Sequence, residues 1–224
     1  MTLNNHVIPF QLGNNTVRGN IVRLQNVVSE IVNRHEYPAN IESLFADTLT
    51  ITASLGSRMK HDGVFTVQAK GNGDVNTLFS DITSDGFLRG YVGLTSSFAN
   101  KEVNLNSLMG SGHVSFTLDQ GKYTKRYQGI VPLEEASISK TTEVYFNNSE
   151  QLETKFYTFN YFDNFKDHSR IDENPIYNQV EIDKQGNTLG DFSNARVQLH
   201  PTSNDGASDT QFYDSDTGYS YSDN

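Results

Sequence analysis

The stretch from Asn40 to Met59 constrains the fold more than any other. Its apolar residues Ile41, Leu44, Phe45, Leu49, Ile51 and Leu55 wrap around most of a helical circumference instead of forming one stripe. A helix apolar nearly all round is buried rather than laid on a surface, so something must cover it on more than one side. A shorter stripe precedes it. Leu24, Val27, Val28, Ile31 and Val32 recur at helical spacing, with Arg34 and His35 in the predicted last turn and Pro38 as the stop.

The rest of the first 160 residues reads as strands. Val17–Leu24 follows the Gly13-Asn14-Asn15 turn. Val64–Lys70 ends at Gly71-Asn72-Gly73, and Asn76–Ile82 ends at Ser84-Asp85-Gly86 before Phe87–Leu94. A polar loop spans 96–107. His113–Leu118 and Arg126–Val131 then flank a hairpin signal, Asp119-Gln120-Gly121-Lys122. Ile138, Thr142, Tyr145 and Phe146 give a third helical stripe ending at Asn147-Asn148, and Leu152–Phe162 reads as one long strand. Arg196–His200 could be one last strand before Pro201. Strand groups bracket the helices rather than alternating with them, which predicts an α+β fold, not a doubly wound sheet.

The formal net charge of −10 is unevenly placed. Residues 1–162 are close to neutral, with 13 Lys/Arg against 15 Asp/Glu, whereas 163–194 carry 3 against 7. Residues 202–224 hold five Asp, no basic residue and no aliphatic periodicity, the composition of a disordered tail. An acidic chain without a Lys/Arg stripe argues against nucleic acid, whose phosphates need a basic patch. No stretch approaches the roughly 18 apolar residues of a bilayer span, and the N-terminus does not read as a secretory signal. A cytoplasmic location is expected. The absence of cysteine excludes a thiol nucleophile, a disulfide framework and a thiolate zinc site from these residues.

Chemical motifs are sparse. Gly71-x-Gly73 and Gly110-x-Gly112 lack a third glycine and open no fingerprint helix, so tight turns explain them. Lys60-His61-Asp62-Gly63 sits at a helix-to-strand junction, where Asp-Gly is a common turn pair. His6, His35, His61, His113, His168 and His200 show no ligand spacing. Asp214-x-Asp216-x-Gly218 opens like a calcium loop, but the sequence has no residue at its twelfth position. No nucleophile elbow occurs. Neither an enzyme nor a metal site is expected. One feature remains: Tyr157, Phe159 and Tyr161 fall on one face of the expected last strand, with Phe156 and Phe162 on the other. An aromatic row of this kind marks core, subunit interface or a surface for apolar polypeptide.

Several segments together resemble the heat-shock protein 33 family. They are Val17-Arg18-Gly19 with Val22-Arg23-Leu24, His35-Glu36-Tyr37-Pro38, Lys60-His61-Asp62-Gly63 leading into Val67-Gln68, Gly71-Asn72-Gly73, Gly86-Phe87-Leu88-Arg89-Gly90 and Gly110-Ser111-Gly112. The most specific part is Arg126-Tyr127-Gln128-Gly129-Ile130-Val131, then Tyr145-Phe146 and Ser149-Glu150-Gln151-Leu152. The likeness runs over about residues 6–157, and Val197-Gln198-x-x-Pro201 resembles the family's next strand, displaced by an insertion at about 163–194. It implies a three-layer β/α/β sandwich around a buried central helix, here a core domain over 1–201 followed by the tail. It also implies a holdase that binds unfolded polypeptides in stress, with Tyr157, Phe159 and Tyr161 as candidate contacts, and a dimeric active form. Family members carry a C-terminal four-cysteine zinc module whose oxidation exposes the binding surface. With no cysteine, this chain is expected to have neither zinc nor that switch. The competing expectation is a truncated, inert relative that keeps only the fold.

Overall fold

In the computed structural model, Ala39–Gly56 (α2) forms the helix that the apolar pattern demands, ending three residues before Met59. Residues 5–12, 17–95, 104–121 and 124–160 are described in full. Beyond them the structure describes only backbone strands, at 179–183, 195–198, 200–201, 212–214 and 220–221. Around α2 lie Asn5–Leu12 (β1), Val17–Leu24 (β2), Asn26–Val32 (α1), Val64–Gly71 (β3), Val75–Thr83 (β4) and Phe87–Leu94 (β5). Leu105–Met109 (α3), Gly112–Asp119 (β6), Tyr127–Pro132 (β7), Ile138–Tyr145 (α4) and Thr154–Tyr157 (β8) follow. Gln179–Asp183 (β9), Ala195–Gln198 (β10), His200–Pro201 (β11), Phe212–Asp214 (β12) and Ser220–Tyr221 (β13) complete two sheets. One runs β13-β12-β10-β1-β2-β9-β8 and the other β11-β5-β4-β3-β6-β7.

Helix α2 packs against β3, β4 and β5 of the six-stranded sheet and against β2 and β9 of the seven-stranded one. This is the expected β/α/β sandwich. Ile41, Phe45, Ala46, Leu49, Ile51 and Ala53 are fully buried. Burial at that depth leaves threonine hydroxyls without water, and they turn back on their own helix. Thr48 donates to the Leu44 carbonyl at 2.9 Å, Thr50 to Ala46 and Thr52 to Thr48, both at 2.8 Å. Asn20 of β2 donates its amide to the Ser54 carbonyl at 3.2 Å and ties sheet to helix.

Two glycines of the sequence motifs mark where helical rings press on a sheet. A Cβ at Gly90 would lie 2.5 Å from the Phe45 ring, and one at Gly129 would lie 2.1 Å from the Tyr145 ring. Tyr145 also stacks on Phe116 with centroids 4.4 Å apart. The two Gly-x-Gly turns sit against each other: Gly71 pairs with Gly112, and Gly73 N–H donates to the Met109 carbonyl at 2.8 Å. They are structural turns.

Several expectations need correction. Helix α1 stops at Val32 and caps at Asn33, so Arg34 and His35 lie beyond its last turn, while Leu24 belongs to β2. Pro38 is the N-cap of α2, with φ already suited to helix entry. Helix α3 occupies part of the expected polar loop, held by a capping box between Asn104 and Ser107. A π-turn, Phe146–Glu150, extends past Asn147-Asn148 and ends at Gln151 in the left-handed region. The long strand expected over 152–162 is hydrogen-bonded only from Thr154 to Tyr157.

The last predicted strand is two: β10 pairs with β1, whereas β11 runs parallel to β5 in the other sheet. Strand β9 falls inside the acidic 163–194 segment and sits between β2 and β8. Strands β12 and β13 fall inside 202–224. The remainder of both segments lies outside the described residues, as does the Gly13-Asn14-Asn15 turn.

Candidate polypeptide-binding surface

In an antiparallel ladder directly opposed residues share a face, so the register of the seven-stranded sheet assigns its two sides. Val7 opposes Val22, and both are buried against the helical layer. The intervening pairs therefore point outward: Ile8 opposite Ile21, Phe10 opposite Gly19, Leu12 opposite Val17. Ile21 in turn opposes Val180, and Val180 opposes Tyr157. One row, Ile8–Ile21–Val180–Tyr157, thus crosses four neighbouring strands on the outer side. Leu12 is 58% exposed, Ile21 38% and Tyr157 52%.

The chain leaving β8 keeps this alternation without a strand ladder. Phe156, Thr158 and Asn160 turn inward and Tyr157 and Phe159 outward, Phe159 being 61% exposed. The inward residues are anchored on α2. Asn160 Nδ2 donates to Asp47 Oδ1 at 2.6 Å, to the Ser43 carbonyl at 3.1 Å and to Ser43 Oγ at 3.2 Å. Burial pushes the Asp47 carboxyl up to about 6, against the opposing pull of hydrogen bonds from Asn160 and Thr158. These side-chain bonds replace a sheet partner after Tyr157 and explain why the strand ends early.

On the inner side, Glu143 of α4 closes the edge of β8. Its Oε1 accepts the Phe156 backbone N–H at 3.0 Å, and its Oε2 accepts from Lys140 at 2.8 Å and from Lys155 at 3.2 Å. Burial alone would raise its pKa, but these donors outweigh it and hold the carboxyl below the usual range. Tyr127 Oη and Tyr145 Oη both donate to Glu150 and pin the π-turn to β7. The Tyr145 hydroxyl is pushed up by burial and then by Glu150; for Tyr127 the hydrogen bond to Glu150 is the main cause.

Of the three aromatic residues singled out from sequence, Tyr157 and Phe159 are brought together on the outer side. Tyr161 lies outside the described residues. Leu12 and Ile21 were missed, although the alternation of Ile8, Phe10 and Leu12 carried the signal; Pro9 within it obscures a strand. The outer side holds no nucleophile, and its chemistry is that of apolar contact, gained in proportion to area and indifferent to sequence. Lys60, His61 and Asp62 form an exposed turn between α2 and β3. Among the described residues no group of three or more His, Asp or Glu gathers to hold a metal, and no helix is long and apolar enough to cross a membrane.

Comparison with known proteins agrees with this architecture. The family model described as Hsp33 protein matches residues 5–171. A 33 kDa chaperonin of Caulobacter vibrioides (strain NA1000 / CB15N) is 35% identical over 161 residues, 68% of this chain and 53% of its own length. One from Shewanella loihica is 37% identical over 150 residues, 67% of this chain and 52% of its own. The chain thus spans about half the length of the curated relatives it matches. The crystal structure of a 33 kDa chaperonin from Thermotoga maritima superposes with a TM-score of 0.68 at 23% identity, covering 81% of this chain and 61% of that one, a likeness of fold.

Proposed function

Because this chain belongs to the Hsp33 family, we propose that it is a holdase-type molecular chaperone domain. It binds unfolded or partly folded polypeptides in the cytoplasm through the outer side of its seven-stranded sheet, around Leu12, Ile21, Tyr157 and Phe159. The observation that carries this reading is the contiguous apolar row across four strands on a face that folding alone leaves free to be polar. The sequence contains no thiol. Capture by this surface therefore needs no oxidant trigger from within these residues and no zinc.

The test is light scattering from a heat- or denaturant-unfolded client. Suppression of aggregation should be equal under reducing and oxidising conditions, and a fluorescent apolar dye should bind while circular dichroism stays native. Native dichroism with neither dye binding nor suppression would establish the inert alternative.

A further inference from the structure

The two sheets end in edges of different character. The edge of β8 is closed by the Glu143 carboxylate on the Phe156 N–H and flanked by Lys155. Strand β7, the edge of the six-stranded sheet, reads Tyr127-Gln128-Gly129-Ile130-Val131-Pro132 and contains no charge. Its register shows which backbone groups are free. Leu133 N–H donates to the Gly112 carbonyl at 3.0 Å, and Leu133 opposes Gly112 one step beyond the Pro132–His113 pair. In an antiparallel ladder hydrogen-bonded pairs alternate, so Val131, Gly129 and Tyr127 bond to β6. The N–H and C=O groups of Gln128 and Ile130 then point away from the sheet. Among the described residues none of these edge-directed groups has a backbone partner outside the sheet. The side chains of Gln128, Ile130 and Pro132 are exposed, Ile130 by 57%.

The flanks supply the partner. Lys125 and Arg126 precede the strand, and Glu134 and Glu135 follow it. An antiparallel copy of the same segment sets the basic end of one against the acidic end of the other, whereas a parallel copy sets like against like. We propose that strand β7 is the pairing edge for a second copy of this chain, joined antiparallel about Gly129 into one continuous sheet. In that register Gln128 opposes the partner's Ile130, both carry edge-directed backbone groups, and Lys125 falls beside the partner's Glu134. The two-fold axis makes the contact self-complementary and closed. It leaves the outer side of the seven-stranded sheet uncovered, so it does not depend on the proposed polypeptide-binding role.

Sedimentation equilibrium on the full chain tests it. A concentration-dependent dimer is expected. Ile130→Pro removes an N–H that β6 does not use, so it should weaken dimerisation at least about tenfold with unchanged circular dichroism. Lys125→Glu and Glu134→Lys should each weaken the dimer, and combining them should restore it, a readout that holds even if the proline variant fails to fold. A chain monomeric up to about 1 mM overturns the proposal. So does an undiminished dimer in a folded Ile130→Pro, or a double charge variant no stronger than the singles.

Discussion

The two sheets press the same helix between equally apolar inner sides, yet they turn opposite outer sides to the surroundings. On the six-stranded sheet the outward positions are Thr66, Gln68, Lys70, Thr77, Asp81, Arg89, His113, Ser115, Thr117 and Gln128, interrupted by Phe79, Tyr91 and Ile130. Their polar groups are matched. Arg89 grips Asp81 through both guanidinium nitrogens at 2.7 and 2.8 Å, and Gln128 donates to Thr117 at 2.9 Å. Water on one side is the ordinary condition of an antiparallel sheet. The seven-stranded sheet departs from it with Ile8, Phe10, Leu12, Ile21 and Tyr157. Since both sheets satisfy the core equally, packing stability does not account for the difference. A surface that meets another polypeptide does.

The largest effect expected is on that surface. Ile21→Asp combined with Tyr157→Asp removes two half-exposed apolar contacts, worth together about 3 kcal/mol of client burial, or about a hundredfold in the concentration needed to suppress aggregation. Thr77→Asp with His113→Asp on the polar side is the matched control and should leave suppression unchanged. Light scattering reads both. An equal loss from the two pairs would erase the distinction between the faces.

The legible parts of the fold were those where one residue pattern had one physical solution. The all-round apolar helix dictated cover on two sides, and strands β2 to β7 were bounded by Gly, Asn and Asp turns that fix where a ladder ends. What escaped depended on partners distant in sequence. Strand β1 carries Pro9 and polar neighbours and becomes a strand because β2 pairs along its whole length. Strand β8 stops at Tyr157 because Asp47, more than a hundred residues earlier, takes the Asn160 amide. Half of the candidate surface was readable as the Tyr157 and Phe159 alternation; Leu12 and Ile21 became visible only once register placed them beside it.

That anchor offers a second, smaller perturbation of the apolar side. Asp47 is raised from an ordinary 3.8 to about 6 mainly by burial. Stabilisation by its protonated form is complete below about 3.8 and is lost as pH rises through 6, so at neutral pH the buried carboxylate is a standing cost. Asp47→Asn keeps an acceptor for Asn160 without the charge. Urea unfolding at pH 8 should show a gain of about 2 kcal/mol, out of about 3 for the full shift, and the variant should lose the dependence between pH 4 and 6. A loss of stability instead would mean that the ionised oxygen, not its burial, governs the anchor.

The smallest effect concerns the edge of β8 and contrasts with the open edge of β7. Glu143 is held below its ordinary 4.5 because, despite its burial, three donors favour the carboxylate. Its contribution is therefore present above pH 4.5 and is lost as pH falls through the lower folded value. Glu143→Gln retains an oxygen for the Phe156 N–H but gives up the charge that Lys140 and Lys155 face. The loss should be about 1 kcal/mol at pH 7 and vanish in acid, because both lysine heads are largely exposed and screened. Hydrogen exchange at the Phe156 amide separates the two roles of this carboxylate. If exchange accelerates only slightly in Glu143→Gln, the side-chain oxygen alone closes the edge. If it rises to the level of an unpaired strand amide, the lysine-held charge is what keeps β8 from pairing with another chain.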